Sequence, residues 1–145
     1  MGIENIYSEI LMEHANSSHN KHHLAHATHT HRGINPSCGD EIELEVFIKD
    51  GRIEDASFTG SGCAISQASA SIMVDLIKGK TVEEAKKLAD IFTGMIKNNI
   101  TDEEELEQLE DAVALKDISH MPARVKCAVL GWHTLEEVAK NKKTC

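Results

Sequence analysis

The chain has few aromatic residues, few prolines and no long apolar run. Only 3% of its 145 residues are aromatic, and two are proline. So few aromatic rings leave little with which to stack nucleobases. The chain contains no stretch of 18 apolar residues, so no transmembrane helix is predicted. The N-terminus lacks a basic region followed by a continuous apolar run, so we do not expect a signal peptide.

Positive charge is also scarce. Lysine and arginine total 15 against 24 aspartates and glutamates, which gives a net charge of −9. Nucleic-acid binders need a basic face for the phosphates, and anionic membranes attract basic segments, so we expect neither partner. We expect a cytoplasmic protein. In that reducing compartment its four cysteines should be metal ligands or reactive thiols rather than disulfides.

The length favours one domain spanning residues 1–145. Apolar residues at helical spacing predict a first helix over 3–14, and a histidine-rich loop follows at about 15–35. Clean alternation over 41–49, an Asp50-Gly51 turn and a return strand over 52–59 predict a β-hairpin. Ile53 and Phe58 of the return strand cannot face the same side unless a bulge intervenes.

The second half of the chain predicts helices only. They cover residues 64–78, 81–97, 101–115 and about 122–141, and the third lies in an acidic segment at about 101–120. Thr81 with Glu84, and Thr101 with Glu104, match the capping box that opens a helix. The expected fold class is α+β: a small antiparallel, hairpin-based sheet that is packed on one face by helices.

Three cysteines fall at the boundaries of these elements. An unbulged hairpin would place Cys38 opposite Cys63, with Asp40 two residues along on the same side. Cys127 is expected in the first turn of the last helix, where the helix dipole and Arg124 or Lys126 favour a thiolate. Zinc accepts thiolate and carboxylate ligands. Scattered cysteines are also commonly inert and buried, so the spacing alone leaves both interpretations open.

The sequences around these cysteines carry a resemblance. They read NPSCGD at 35–40, GSGCAIS at 60–66 and RVKC at 124–127. In this order, on a hairpin followed by helices, they resemble the three cysteine motifs of the IscU/NifU-N family of iron–sulfur cluster assembly proteins. Lys126 replaces the histidine of IscU-type scaffolds, and the stretch between Cys63 and Cys127 is longer than theirs. Both features resemble the SufU-type members.

The resemblance implies a fold of the SufE/NifU-N type and a zinc ion held by Cys38, Asp40, Cys63 and Cys127. It also implies a zinc-dependent sulfurtransferase of the SUF-type machinery, which accepts persulfide sulfur on Cys38 from a SufS-type cysteine desulfurase. Arg124 is a candidate for orienting the site or docking this partner. The alternative is an IscU-like scaffold on which a [2Fe–2S] cluster is assembled at the same residues and then transferred. A purely structural zinc module is a third hypothesis.

Other features have simpler interpretations. Seven histidines at the N-terminal end indicate a solvated loop, with a metal store as the alternative: His14, His19, His22, His23, His26, His29 and His31. The acidic run over 102–111 indicates a solvated helix face, with a docking surface for a basic patch on the desulfurase as the alternative. His120 and His133 are interpreted as surface or helix residues, and Cys145 is given no role.

Overall fold

The computed structural model describes residues 3–17, 19–36, 39–97, 99 and 102–140. Its elements are, in order, α1 (Ile3–Asn16), β1 (His29–Asn35), β2 (Asp40–Lys49), β3 (Arg52–Ser61), α2 (Ala64–Ile77), α3 (Val82–Ile96), α4 (Glu103–Glu107), a 3₁₀ helix (Glu110–His120) and α5 (Pro122–Lys140). The strands form an antiparallel sheet in the order β1-β2-β3. The predicted α+β class is confirmed.

The β2–β3 hairpin forms as its alternation predicts. Ile42, Leu44 and Val46 are fully buried on one face of β2. Asp50 and Gly51 both have positive φ, 55° and 79°, as a two-residue type I′ turn requires.

The hairpin contains the bulge that Ile53 and Phe58 need if both are to face the core. The pairing register shifts between Phe47 and Ile48, and Ile53 and Phe58 are both buried as a result. Beyond the bulge Glu41 pairs with Ser61. An unbulged ladder would pair Glu41 with Gly60, so the bulge shifts by one residue the register from which Cys38 was expected opposite Cys63. Cys38 itself lies outside the described residues.

Strand β1 occupies the end of the segment predicted as loop, so that prediction is wrong over residues 29–35. Its core-facing positions, opposite Val46, Leu44 and Ile42, are His29, His31 and Gly33. None of these three is apolar, so the strand has no hydrophobic alternation that could predict it. Helix α5 packs on β1, and a Cβ on Gly33 would collide with Thr134 Oγ1. The strand therefore presents backbone, rather than apolar side chains, to the helix.

The helices cover the core face of the sheet. Phe92 of α3 and Trp132 of α5 stack with ring centroids 4.3 Å apart and planes 8° from parallel. Trp132 Nε1 donates a hydrogen bond to Ser69 Oγ of α2 (3.0 Å), and that hydroxyl donates to the Ala128 carbonyl (2.6 Å). These contacts join α2, α3 and α5 around one buried indole.

Most helix boundaries agree with the sequence prediction. The predicted helices at 64–78, 81–97 and 122–141 are confirmed to within about two residues. The Thr81–Glu84 capping box is present. Among the described helices, none is long and apolar enough to cross a membrane.

The acidic segment is not the single helix that was predicted. Helix α4 ends at Glu107 and the chain continues as the 3₁₀ helix. Glu110, at the start of the latter, has a φ of 49°, which an α-helix cannot accommodate. Asp102 caps α4 by accepting a hydrogen bond from Glu104 N; the predicted cap, Thr101, lies outside the described residues. The acidic side chains at 102–105 are exposed, whereas Leu106 is buried.

Gly60 is expected to be essential for the pairing of β3 with β2 at the end that precedes α2. Its φ is 136°, and a Cβ there would collide with the Glu41 carbonyl oxygen. Gly60→Ala combines backbone strain with a steric clash against rigid backbone, so we expect a loss of about 3 kcal/mol or more. The control is Gly51→Ala, where φ is 79° but no atom lies within 4 Å, with an expected loss of about 1–2 kcal/mol. Urea unfolding of the metal-free proteins measures both losses; equal losses would contradict the proposed clash.

Candidate metal centre

Three of the four predicted ligands converge at one end of the sheet. A carboxylate oxygen of Asp40 and the Sγ atoms of Cys63 and Cys127 lie within 4.8 Å of one another. Donors at 2.0–2.3 Å from a tetrahedral zinc ion are about 3.3–3.8 Å apart. A small inward movement would therefore complete the arrangement. The fourth predicted ligand, Cys38, lies outside the described residues.

Each ligand comes from a different element. Asp40 begins β2 and shares the core-facing side of the strand with Ile42, two residues along. Cys63 immediately precedes α2 and is the N-cap residue of that helix. Cys127 lies on α5, which crosses the end of β1 and β2. The site therefore exists only because strand, loop and helix meet there.

Cys127 is deeper in its helix than the sequence predicted. Helix α5 begins at Pro122, so Cys127 lies in the second turn rather than the first. Cys127 is fully buried. Because the helix dipole acts mainly within the first turn, the surrounding hydrogen-bonding groups matter more for this thiol than the helix terminus.

The Asp40 carboxylate is the electrostatic centre of the site. It is fully buried. Its Oδ1 accepts hydrogen bonds from Cys63 N (2.9 Å) and Ser66 Oγ (3.3 Å), and its Oδ2 accepts one from Asn35 Nδ2 (3.3 Å). Burial raises the pKa of Asp40, but hydrogen bonds from the Cys127 side chain and these three donors outweigh it, so the net pKa lies below the usual value.

This donor set fits a metal ion. An ionised carboxylate buried beside two thiols is costly unless a cation compensates its charge. Thiolate and carboxylate together suit zinc, which combines soft and hard ligands in tetrahedral sites. Asp40, Cys63 and Cys127 could therefore hold such an ion, and the hydrogen bonds to Asp40 would fix the orientation of its carboxylate.

Asn35 and Gly62 support the site. From the sequence, Gly62 was expected only to let the backbone approach a ligand closely, and no role was predicted for Asn35. Asn35 is 6% exposed, pairs with Asp40 across the β1–β2 turn, and places its Nδ2 4.0 Å from Cys127 Sγ. A Cβ on Gly62 would collide with Asp40 Oδ1. Both residues belong to the quoted cysteine motifs. Their place in those motifs was the signal available from the sequence. Their function depends on contacts with Asp40 that appear only in the folded chain.

The remaining candidates lie at the surface. Arg124 is exposed one turn before Cys127 on α5, and Lys126 is exposed next to it. His120 is exposed at the end of the 3₁₀ helix. Within the described part of the chain, the cluster of potential ligands around Asp40 includes no histidine.

Known proteins resemble this chain over nearly its whole length. Residues 6–143 match the family model described as the NifU-like N terminal domain. A Thermotoga maritima protein named iron-sulfur cluster assembly scaffold protein IscU is 43% identical over 135 residues, which cover 93% of each chain. The Bacillus subtilis protein named zinc-dependent sulfurtransferase SufU is 39% identical over 141 residues, 97% of this chain and 94% of that one.

Solved structures share the architecture. A crystal structure of a proposed iron–sulfur cluster assembly scaffold protein for the SUF system, from Fervidobacterium islandicum, superposes with a TM-score of 0.85 at 36% identity, covering 95% of this chain and 99% of that one. The N-terminal part of a NifU-like protein from Brucella abortus gives the same TM-score at 22% identity, covering 98% and 97%. The latter similarity shows the fold alone.

The role of Asn35 can be tested by comparison with a second buried asparagine. Asn35→Ala removes a donor from the Asp40 carboxylate, so we expect zinc affinity to fall by about 10–100-fold. The control is Asn20→Ala: Asn20 is 1% exposed and donates to the Ser71 carbonyl and to Asp75, on another part of the surface. Competition with a chelator measures affinity, and urea unfolding measures stability. A similar loss of affinity in both variants would show that Asn35 acts only through stability.

Proposed function

The chain belongs to the family of NifU-like N-terminal domains, and from this premise we propose that it serves iron–sulfur cluster assembly as a zinc-dependent sulfur carrier. The observation that carries the proposal is the convergence of Asp40, Cys63 and Cys127, a set of ligands that suits zinc. A relative that shares 39% identity over nearly the full length is named a zinc-dependent sulfurtransferase. The proposed sulfur donor is a SufS-type cysteine desulfurase.

Cys38 is the proposed sulfur acceptor and fourth metal ligand. In the sequence it falls between β1 and β2, two residues before Asp40. Two residues of extended chain span at most about 7 Å, so the Cys38 thiol is within reach of the other three ligands. Bound zinc would keep the ligating thiols deprotonated at neutral pH.

The transfer is a thiol–disulfide type exchange. The Cys38 thiolate attacks the outer sulfur of the donor's persulfide, the donor S–S bond breaks, and the donor cysteine leaves as a thiolate with the bonding electrons. A new persulfide then stands on Cys38, and no external oxidant or reductant is consumed.

The surroundings of the cysteines favour Cys38 in this role. Cys127 is fully buried on a helix, and the backbone of Cys63 is held by the hydrogen bond to Asp40. The neighbours of Cys38 in the turn, Pro36 and Gly39, are both exposed. An incoming persulfide would therefore find exposed residues on either side of Cys38 in the sequence. Asp40, Cys63 and Cys127 would retain the metal ion while Cys38 reacts.

Arg124 is proposed as a residue that docks or orients the donor. Its side chain is exposed and starts about one turn before the ligand Cys127 on α5. A guanidinium group at this position would attract an anionic persulfide or an acidic surface of the partner.

A second function has specific support. A relative that is 43% identical over 93% of the chain is named an IscU scaffold, and the same residues would then bind a [2Fe–2S] cluster. Such clusters are held by four protein ligands. Asp40 would have to act as one of them, because Lys126, which is exposed, stands in place of the histidine of IscU-type scaffolds.

Removal of the proposed acceptor should abolish function. With Cys38→Ala, we expect sulfide release by a SufS-type desulfurase to fall to the rate of the desulfurase alone, because no thiol accepts the persulfide sulfur. The matched control is Cys145→Ala, which removes the cysteine that was given no role and should stimulate like the wild type. Full stimulation by Cys38→Ala would refute the assignment.

Anaerobic reconstitution distinguishes carrier from scaffold. For the carrier we expect a colourless protein that retains one zinc per chain after treatment with iron and sulfide, because thiolate sites favour zinc over iron(II). Elemental analysis and visible absorption measure the outcome. A brown protein that passes its cluster to an apo-ferredoxin would instead establish the scaffold function.

A further inference from the structure

The histidine-rich segment crosses the sheet on the face opposite the helices. On one edge, the Asn20 carbonyl accepts a hydrogen bond from Phe58 N of β3 (3.0 Å), and Lys21 forms a parallel bridge with Phe58. On the other edge, Thr28 N donates to the Val46 carbonyl (2.8 Å), where β1 begins. Residues 21–28, which we name the crossing segment, therefore run from the outer edge of β3 to β1. The outward-facing side chains of β2 lie beneath them.

One histidine of the crossing segment meets two of these side chains. Donor atoms of His23, Glu43 and Glu45 lie within 4.8 Å of one another. His23 Nδ1 is 2.7 Å from Glu45 Oε2, and Leu24 N donates to Glu45 Oε1 (3.2 Å). The Glu45 side chain is 9% exposed, whereas that of His23 is 73% exposed. Glu45 is thus buried at the bottom of the cluster, whereas the side formed by His23 is open to solvent.

A second observation is a buried hydroxyl group on the same face of the sheet that has no hydrogen-bond partner among the described residues. Ser57 is paired with Glu45 across β2 and β3, so both side chains project from the same face of the sheet. Ser57 is fully buried, and its Oγ has no hydrogen-bond partner among the described residues. The large majority of buried hydroxyl groups have a hydrogen-bond partner, and a bound ion or water is one explanation where the protein offers none.

We propose that His23, Glu43 and Glu45 bind a second divalent metal ion of the zinc type. One imidazole nitrogen and two carboxylate oxygens are ligands that zinc accepts at about 2.0–2.2 Å. Two carboxylates and a neutral imidazole balance the charge of a divalent cation. Water would complete the coordination on the exposed side, as in zinc sites with three protein ligands.

The second site is separate from the first. Glu43 and Glu45 project from the face of β2 opposite to Asp40, since side chains alternate along a strand. Glu43 is three residues from Asp40, which places their Cα atoms about 10 Å apart. The second site offers only nitrogen and oxygen ligands, whereas the first site contains two sulfur atoms. The two sites therefore differ in position, in ligand charge and in the absorption spectrum expected when cobalt is bound.

The proposed ion would attach the crossing segment to β2. His23 belongs to the segment, while both glutamates belong to the central strand. Metal binding should therefore stabilise the folded chain by an amount that rises with the logarithm of the metal concentration above the dissociation constant. This effect requires no sulfur transfer, so the proposal stands or falls independently of the function proposed above.

The test is metal titration of the full-length chain without an affinity tag. After removal of metal, we expect Zn²⁺ to bind at the cysteine site and then at a second, weaker site. In a parallel titration with Co²⁺, the first ion should produce thiolate-to-cobalt charge-transfer absorption, and the second should add none. His23→Gln and Glu43→Gln should each weaken the second site by more than the roughly 10–100-fold cost of losing an outer-shell partner, and leave the first unchanged.

His26→Gln is the matched control. His26 is an exposed histidine of the crossing segment that lies outside the cluster, so this variant should keep the second ion. The proposal is overturned if the wild type binds no second ion, if His23→Gln still binds it with wild-type affinity, or if His26→Gln weakens it equally. The last result would indicate diffuse binding to the histidine-rich segment.

Discussion

The hydrogen bond from Cys63 N to Asp40 Oδ1, 2.9 Å long, is the contact on which the metal centre depends. It joins the first residue of β2 to the N-cap residue of α2 and holds a buried carboxylate beside two thiols. Asn35 and Ser66 donate to the same carboxylate. Because these donors stabilise the charged form, Asp40 remains an anion where burial alone would favour protonation. A cation is the natural complement of this arrangement.

Small residues bring the third ligand into place. Gly33 on β1 has no side chain where α5 crosses it, and a Cβ there would collide with Thr134. On α5 itself, Gly131 faces Ala70 of α2, where a Cβ would reach van der Waals contact at 3.4 Å and a larger side chain would need more room. Helix α5 can therefore lie close to both the sheet and α2. This approach places the buried Cys127, one helical turn before Gly131, beside Asp40.

The two faces of the sheet offer different chemistry. On the helix-covered face, thiols and a buried carboxylate form a site that suits a soft or borderline ion. On the opposite face, the crossing segment brings an imidazole to two carboxylates. The alternation of side chains along β2 separates the sites, because Asp40 and Glu43 belong to opposite sets.

The sequence by itself determined what depends on neighbours along the chain: the hairpin and its Asp50-Gly51 turn, the Thr81–Glu84 capping box, and the cysteine motifs that indicated the family. Tertiary structure decided what depends on distant partners. Strand β1 carries no apolar alternation because α5 packs on its backbone; the depth of Cys127 follows from where α5 begins; and the roles of Asn35 and His23 appear only when the strands are paired. Periodicity records how one element meets the core, whereas a side-chain contact between two elements leaves no periodic trace in either of them.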